Sequence, residues 1–354
     1  MYQNKHFFRV IGIMSGTSLD GIDIALIKFN IKTWDFKILK SKLIPYNNYW
    51  TDELSDIHFK SKKQLLKIDL LYTKFLGEKI YEFITENKLK NIDLVCSHGH
   101  TAIHNPDLGI TYQLGNLNTL NNKYKIMTVC DFRTQDVALG GQGAPLVPVG
   151  DSILFANYSV CLNLGGFANI SRNNNKNIIA YDLCSVNIVL NYLSSITGRK
   201  FDKDGVIAKS GKLIPNLLSK LNSIEFYSKN YPKSLGIEWV SDNIFPIINE
   251  WLKKSSLENV MHTYVIHIIK IISSSLSTDD NVLVSGGGAH NKYLMEELKL
   301  NSKSKIIIPS KEIINFKEAL IFGLLGLLRV LKINNCFSSI TGARKNHCSG
   351  KIIK

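Results

Sequence analysis

The stretch Val10–Phe29, VIGIMSGTSLDGIDIALIKF, decides how the rest of the chain is read. An apolar run, Val10, Ile11, Ile13 and Met14, breaks into Ser15-Gly16-Thr17-Ser18-Leu19-Asp20-Gly21. It resumes as Ile22, Ile24, Ala25, Leu26, Ile27 and Phe29, with Asp23 the polar exception near its start. Two apolar segments around a short polar, glycine-bearing loop predict a β-hairpin. The loop holds more hydroxyls than a connector needs. Gly16 and Gly21 let main-chain N–H groups approach an anion, and Thr17 and Ser18 add hydroxyl donors. Asp20 suits a position near a metal ion bridging oxygens of that anion. A solvated turn explains the same residues equally well, so the decision passes to the rest of the chain.

At 354 residues the chain is too long for one compact core and predicts two domains. A hydrophobic fraction of 45% and a charged fraction of 20% are those of an ordinary globular protein. The formal charge of +14 comes from 43 basic and 29 acidic residues, but the lysines are scattered. The final segment, Thr341–Lys354, carries four basic residues and no acid, and no longer basic block occurs. Nucleic acid is therefore not an expected partner. Six cysteines, at 96, 130, 161, 184, 336 and 348, form no CxxC pair and lie mostly in apolar runs, as reduced cytosolic thiols do. The N-terminus shows no signal-peptide pattern, and the longest apolar stretch, Ala319–Leu328, is too short to span a bilayer. A soluble cytoplasmic protein with no membrane partner is expected.

After the hairpin, Phe36–Leu43 reads as a third strand. Leu65, Ile68, Tyr72, Leu76, Ile80 and Phe83 recur at helical steps and predict a helix over Lys62–Glu86. Asp93–Ser97 and Ile126–Asp131 read as strands, the first running into a His98-Gly99-His100-Thr101 loop. The second half opens in the same way: strand Ser159–Leu164, turn Gly165-Gly166, a return strand from Phe167, then Asn177–Leu183. Helical patterns follow at Ser185–Ile196, Ser241–Lys253 and Glu258–Leu276. Strand Val282–Ser285 meets Gly286-Gly287-Gly288 before a helix near His290; strand Lys305–Ile308 and helix Phe316–Leu331 close the chain. The pattern is α/β with mixed sheets. The domains are drawn at 1–135, open to completion by the C-terminal segment, and 136–354.

The triple glycine between strand and helix would let a nucleotide lie against bare backbone, although a tight turn needs glycine too. Three such glycine devices, each after a strand, resemble the two phosphate elements and the adenosine element of the acetate/sugar kinase, Hsp70 and actin superfamily. That resemblance implies two RNase-H-like (actin-like ATPase) domains with an interdomain active-site cleft that closes on binding.

Longer strings narrow the resemblance. IGIMSGTSLDGIDIAL, SHGHTAIHNP, DFRTQDVALGGQGAPLVP, LNLGGFANIS, YPKSLGIEW and VSGGGAHN occur in order across most of the chain. Together they resemble the anhydro-N-acetylmuramic acid kinase family. The resemblance implies that ATP and water convert 1,6-anhydro-N-acetylmuramate to N-acetylmuramate 6-phosphate, a step of peptidoglycan recycling. It further implies Mg²⁺, with ligands that the motifs leave unassigned, and a homodimer. The nucleotide elements it implies are Ser15, Gly16, Thr17, Ser18, Leu19, Asp20, Gly21, Ile22, Asp23, Gly165, Gly166, Gly286, Gly287 and Gly288.

Asp182 ends a predicted strand, where a helix N-cap is the ordinary fate of an aspartate. The family resemblance instead implies the general base that activates water. The family's Asp-Thr-Gly-Pro-Gly-Asn string here reads Asp182-Leu183-Cys184-Ser185-Val186-Asn187, so its ends match and its middle does not. Cys184 reads as packing. Arg133, in Asp131-Phe132-Arg133, suits the carboxylate or amide oxygens of a sugar, or else a surface ion pair. By the same resemblance His98 and Thr101 contact substrate, and Glu318 reaches the site from the last helix. His98, His100 and His104 have no convincing fourth ligand for zinc. A different sugar kinase without ring opening, or a non-catalytic nucleotide switch on the same fold, are the rival readings.

Overall fold

Among the described residues, two large sheets share one strand order. The computed structural model describes residues 5–16, 19–174 and 177–354. The chain divides into two units, Met1–Leu154 with Phe316–Lys354, and Phe155–Asn315. The expected division at 135 is thus replaced by one at 154, and the C-terminal segment from Phe316 belongs with the first unit.

In the first unit, β1 (Phe7–Ser15), β2 (Gly21–Asn30) and β3 (Phe36–Pro45) form an antiparallel meander. β4 (Leu94–Ser97) then pairs parallel to β1, outside which lie β7 (Thr128–Cys130) and β13 (Lys351–Ile353). The full order is β13-β7-β4-β1-β2-β3. A separate hairpin pairs β5 (His100–Asn105) with β6 (Ile110–Leu114), where a simple loop was expected from Gly99. The basic tail, marked in the sequence only by its charge, completes the sheet edge against β7 through Lys351–Ile353.

The central strands are apolar on both faces because both faces are covered. On one face Ile11, Ile13, Ile24 and Val95 pack against Leu65, Tyr72, Leu76 and Ile80 of the Lys62–Glu86 helix. That helix starts at a reciprocal Ser61–Gln64 capping box. Fully burying each such aliphatic side chain contributes roughly 1.5–3 kcal/mol. On the other face lies the helix Lys311–Leu331, which starts five residues earlier than its apolar pattern suggested. Gly12 admits its backbone: a Cβ there would stand 1.9 Å from the Ala319 carbonyl oxygen. The tail is pinned by buried Asn335, which donates to the Leu325 and Ser349 carbonyls and accepts from the Ser349 N–H.

In the second unit β8 (Val160–Leu164), β9 (Phe167–Asn174) and β10 (Asn177–Ser185) form the meander. β11 (Asn281–Ser285) and β12 (Lys305–Ile307) add in parallel to give β10-β9-β8-β11-β12. This repeats the order β3-β2-β1-β4-β7 of the first unit. Val160, Leu162, Leu164, Val282 and Val284 line one face and pack with the helix Leu257–Ser274. The single helix expected over Ser241–Lys253 is two, Ile237–Asn243 and Phe245–Leu252, because Pro246 occupies a first-turn position and restarts the helix.

Candidate functional site

In each unit the chemistry gathers where the parallel strands end, the usual ligand edge of an α/β sheet. In the first unit Ser15, Ser97 and Cys130 close β1, β4 and β7, and the register holds Ile13 beside Ser97 beside Cys130. His98 directly follows Ser97, and Arg133 lies just beyond Cys130, after Asp131 and Phe132.

Ser15 does not present its hydroxyl to the loop. Its Oγ lies 2.5 Å from Tyr46 Oη, 2.7 Å from Tyr72 Oη and 3.2 Å from His100 Nδ1, within a buried network. The two phenols also bond each other at 2.6 Å. Burial raises both tyrosine pKa values and lowers that of His100 to about 4, so these groups stay neutral. Gly21 serves packing: with φ at 149°, a Cβ would meet the Ile44 carbonyl oxygen at 2.2 Å. Gly16 is half-buried, its carbonyl accepting from the Leu19 N–H, and Leu19 holds a left-handed φ of 59°. Ile22 faces the core opposite Ser15. Thr17 and Ser18 lie outside the described residues.

The opposite face of β2 carries Asp23, paired with Met14. Burial raises its pKa to about 7, with the charges of Glu318 and Asp20 adding to the effect. Glu318 precedes Ala319 on the helix that Gly12 admits, so the close helix–strand approach delivers this second carboxyl to the strand end. Burial raises the Glu318 pKa as well, against the lowering influence of Lys317 and Arg133.

Arg133 is oriented through two of its nitrogens. Nη1 donates to the Gly143 carbonyl at 2.7 Å, and Nε donates to His98 Nε2 at 2.9 Å. His98 Nδ1 lies 2.8 Å from the Gly99 carbonyl, which only accepts. The ring is therefore the neutral Nδ1–H tautomer, and burial together with Arg133 holds its pKa well below the usual value. Burial also lowers Arg133 to about 10, with Glu318 opposing. The geometry replaces the surface ion pair with a half-buried, oriented guanidinium. Thr101 stands on β5, half-buried and paired with Gln113. His104 is exposed, and its Nδ1 lies 3.1 Å from Thr111 Oγ1.

In the second unit, one transverse row crosses four strands: Asp182 pairs with Asn169, Asn169 with Asn163, and Asn163 with Ser285. Paired residues share a face, so this polar row lies opposite the apolar face of Leu162, Leu164 and Ile170. Asp182 is not an N-cap; the following helix, Asn187–Ser195, is preceded by Val186. The altered middle of the motif folds as a bulge between Asp182 and Cys184, which buries Cys184 in the core. Ser185 is fixed beyond it by Tyr264, whose hydroxyl meets both the Ser185 carbonyl and Oγ. Asp182 is clamped by the loop before Gly236: its N–H donates to the Lys233 carbonyl, and Oδ2 accepts from the Leu235 N–H at 2.8 Å. Burial raises its pKa, an effect that the Leu235 N–H opposes.

The two glycine turns leave neighbouring strands beside this row. Gly165 and Gly166 use their carbonyls to receive the Val186, Asn187 and Ile188 N–H groups, so they cap the next helix. Gly286 has φ at 83°, and a Cβ there would meet Asn163 Oδ1 at 2.5 Å. Gly288 lies against Leu164, whereas Gly287 is exposed, and a Cβ there would meet only Asn187 Nδ2, at 3.6 Å. Asn163, Asn169, Ser285 and the Tyr46–Tyr72–His100 network escaped the motif reading. A polar residue alternating with leucines, as Asn163 does in SVCLNL, was the available signal.

A model of the anhydro-N-acetylmuramic acid kinase family matches residues 8–354. The chain belongs to that family. It is similar, at 33% identity, to the anhydro-N-acetylmuramic acid kinase of Sulfurimonas denitrificans, over 97% of this chain and 98% of the relative. The Aliivibrio fischeri protein of the same name is 31% identical over the same shares. Among solved structures, component A of (R)-2-hydroxyglutaryl-CoA dehydratase from Acidaminococcus fermentans aligns with 13% identity and a TM-score of 0.49, covering 90% of this chain and 96% of that one. A Schistosoma mansoni hexokinase complexed with glucose aligns with a TM-score of 0.37 and 10% identity, covering 90% and 84%. The chain is thus an enzyme, a kinase that uses ATP, with two sheet-bearing units. Among the described residues no helix is long and apolar enough to cross a membrane.

Proposed function

We propose that this kinase converts 1,6-anhydro-N-acetylmuramate, water and ATP into N-acetylmuramate 6-phosphate and ADP, in the cytoplasm, as part of peptidoglycan recycling. The observation that carries the reading is Asp182, a half-buried carboxylate clamped by a backbone N–H at the strand end beside two glycine turns. Its raised pKa makes it a stronger base than a solvated aspartate. Asp182 takes a proton from the water that attacks the anomeric carbon. The bond from that carbon to O6 breaks, and O6 takes the γ-phosphoryl group as its bond to ADP breaks. The departing O6 needs no acid, because phosphorus captures it.

Gly165, Gly166 and Gly286–Gly288 would receive the nucleotide, Gly287 offering the barest backbone. Arg133 would bind the lactyl carboxylate or amide oxygens, oriented by neutral His98, with Thr101 and Glu318 as further sugar contacts. Asp20 and Asp23 fit Mg²⁺: both are hard oxygen donors, and their mutual repulsion favours a cation beside them. When bound, Mg²⁺ screens the charge of the β- and γ-phosphates. A homodimer is part of the same reading.

The test is turnover of the anhydro sugar with ATP and Mg²⁺ in ¹⁸O water, followed by product mass. Phosphorylated sugar carrying one label supports the reading. Phosphorylation without label would assign a plain sugar kinase, and absence of sugar-dependent turnover a nucleotide switch.

A further inference from the structure

Behind the Gly143 carbonyl that orients Arg133, the helix after Arg133 and the C-terminal tail, distant in sequence, bring together an oxygen, a sulfur and a nitrogen donor. Asp136 belongs to the helix Thr134–Ala138, Cys336 follows the long last helix, and His347 pairs with Cys336 as an antiparallel bridge. All three residues are buried, and their donor atoms lie within 4.8 Å of one another.

The hydrogen bonds around these donors leave one deficit. His347 Nδ1 lies 3.1 Å from the Lys345 carbonyl, so in a neutral ring this nitrogen carries the hydrogen. Nε2 then holds a lone pair, yet it is buried without a hydrogen-bond partner and points at Asp136 Oδ1, 3.5 Å away. Two acceptors face each other. Either a second ring proton or a cation must lie between them.

The remaining contacts match the outer shell that orients metal ligands. Asp136 Oδ2 accepts from the Gly143 N–H at 2.7 Å, and Oδ1 accepts from Thr341 Oγ1 at 2.7 Å. Cys336 has the Ser349 hydroxyl beside it. Ser349 is itself fixed by donating to the Phe132 carbonyl.

We propose that Asp136, Cys336 and His347 form a structural site for a borderline-soft divalent cation, zinc by its donor set, which ties the C-terminal tail to the Arg133 segment. One thiolate, one imidazole and one carboxylate are three of the four donors that zinc takes. Binding forms the metal–sulfur bond and releases the Cys336 thiol proton to solvent. Cys348 is no ligand; its sulfur turns to the Leu328 and Arg329 carbonyls.

The probe is Co²⁺ added to the chelator-treated full-length chain, with zinc as competitor. The expected result is a sulfur-to-cobalt charge-transfer band saturating at about one ion per chain, bleached by zinc, and a higher melting temperature in zinc. Cys348→Ser keeps the band; Cys336→Ser and His347→Gln lose it. A chain that gives no band and no shift in melting temperature overturns the site. So does a His347 ring carrying hydrogen on both nitrogens in the presence of zinc, read by ¹⁵N NMR. None of these readouts depends on sugar turnover, so they stand or fall apart from the proposed reaction.

Discussion

The two units repeat one strand order but hold their functional groups by different means. In the first, side chains hold side chains: Ser15 with two tyrosines, and Arg133 with His98, under helix and sheet. In the second, backbone does the holding: glycine carbonyls cap a helix, and one N–H clamps Asp182. The first arrangement fixes charge and tautomer by burial; the second leaves a carboxylate accessible and basic. A site that must recognise a sugar profits from rigid donors. A group that must exchange a proton in each turnover profits from being lightly held.

The contrast is most directly broken at Asp182. Asp182→Asn is expected to lower kcat by about 10²–10⁴ with a small change in KM for ATP. Activity within tenfold of the parent would remove Asp182 as the base. Because burial raises its pKa, the acid limb of kcat/KM should lie above the ordinary carboxylate range. Gly12→Ala attacks the first unit instead. A Cβ overlapping the Ala319 carbonyl should cost about 3 kcal/mol or more, or prevent folding, as urea midpoints would report.

Smaller effects sharpen the same comparison. Arg133→Lys loses the donor to His98 and should raise KM for the sugar by about 10-fold, with kcat changed less. Asp23→Asn probes the buried charge itself. The folded-state pKa, about 7, exceeds the ordinary aspartate value of 3.8, so the native state holds its proton more tightly than the unfolded chain. Asp23 therefore favours folding least at high pH, and stability falls as pH rises from 3.8 through about 7. The variant should be more stable than the parent at pH 8 by about 1–2 kcal/mol after solvent screening, and no more stable near pH 4. Tyr46→Phe removes two bonds of the Ser15 network, those to Ser15 and to Tyr72, and should cost only about 1–2 kcal/mol in thermal unfolding.

Much of the fold was legible because its signals are local. The Lys62–Glu86 helix shows its period, and each meander shows apolar runs broken by glycine. Where local signals stopped, so did the reading. Phe245-Pro246 restarts a helix within a continuous apolar pattern, and β13 forms only because β7 offers it an edge. The role of Gly12 was illegible, since the need for it comes from a helix 300 residues later.

By itself the sequence determined the family, the glycine turns, most of the strands and the residues eligible for chemistry. Those properties reside in short strings and in side-chain periods. The tertiary structure alone decided which of them share an environment. It turned Ser15 inward to its tyrosines, set Asp23 against Glu318, and aligned Asp182 with Asn169, Asn163 and Ser285. It also brought Asp136, Cys336 and His347 together. The reason is physical: charge coupling, desolvation and register act across space, between residues whose separation along the chain carries no trace of their contact.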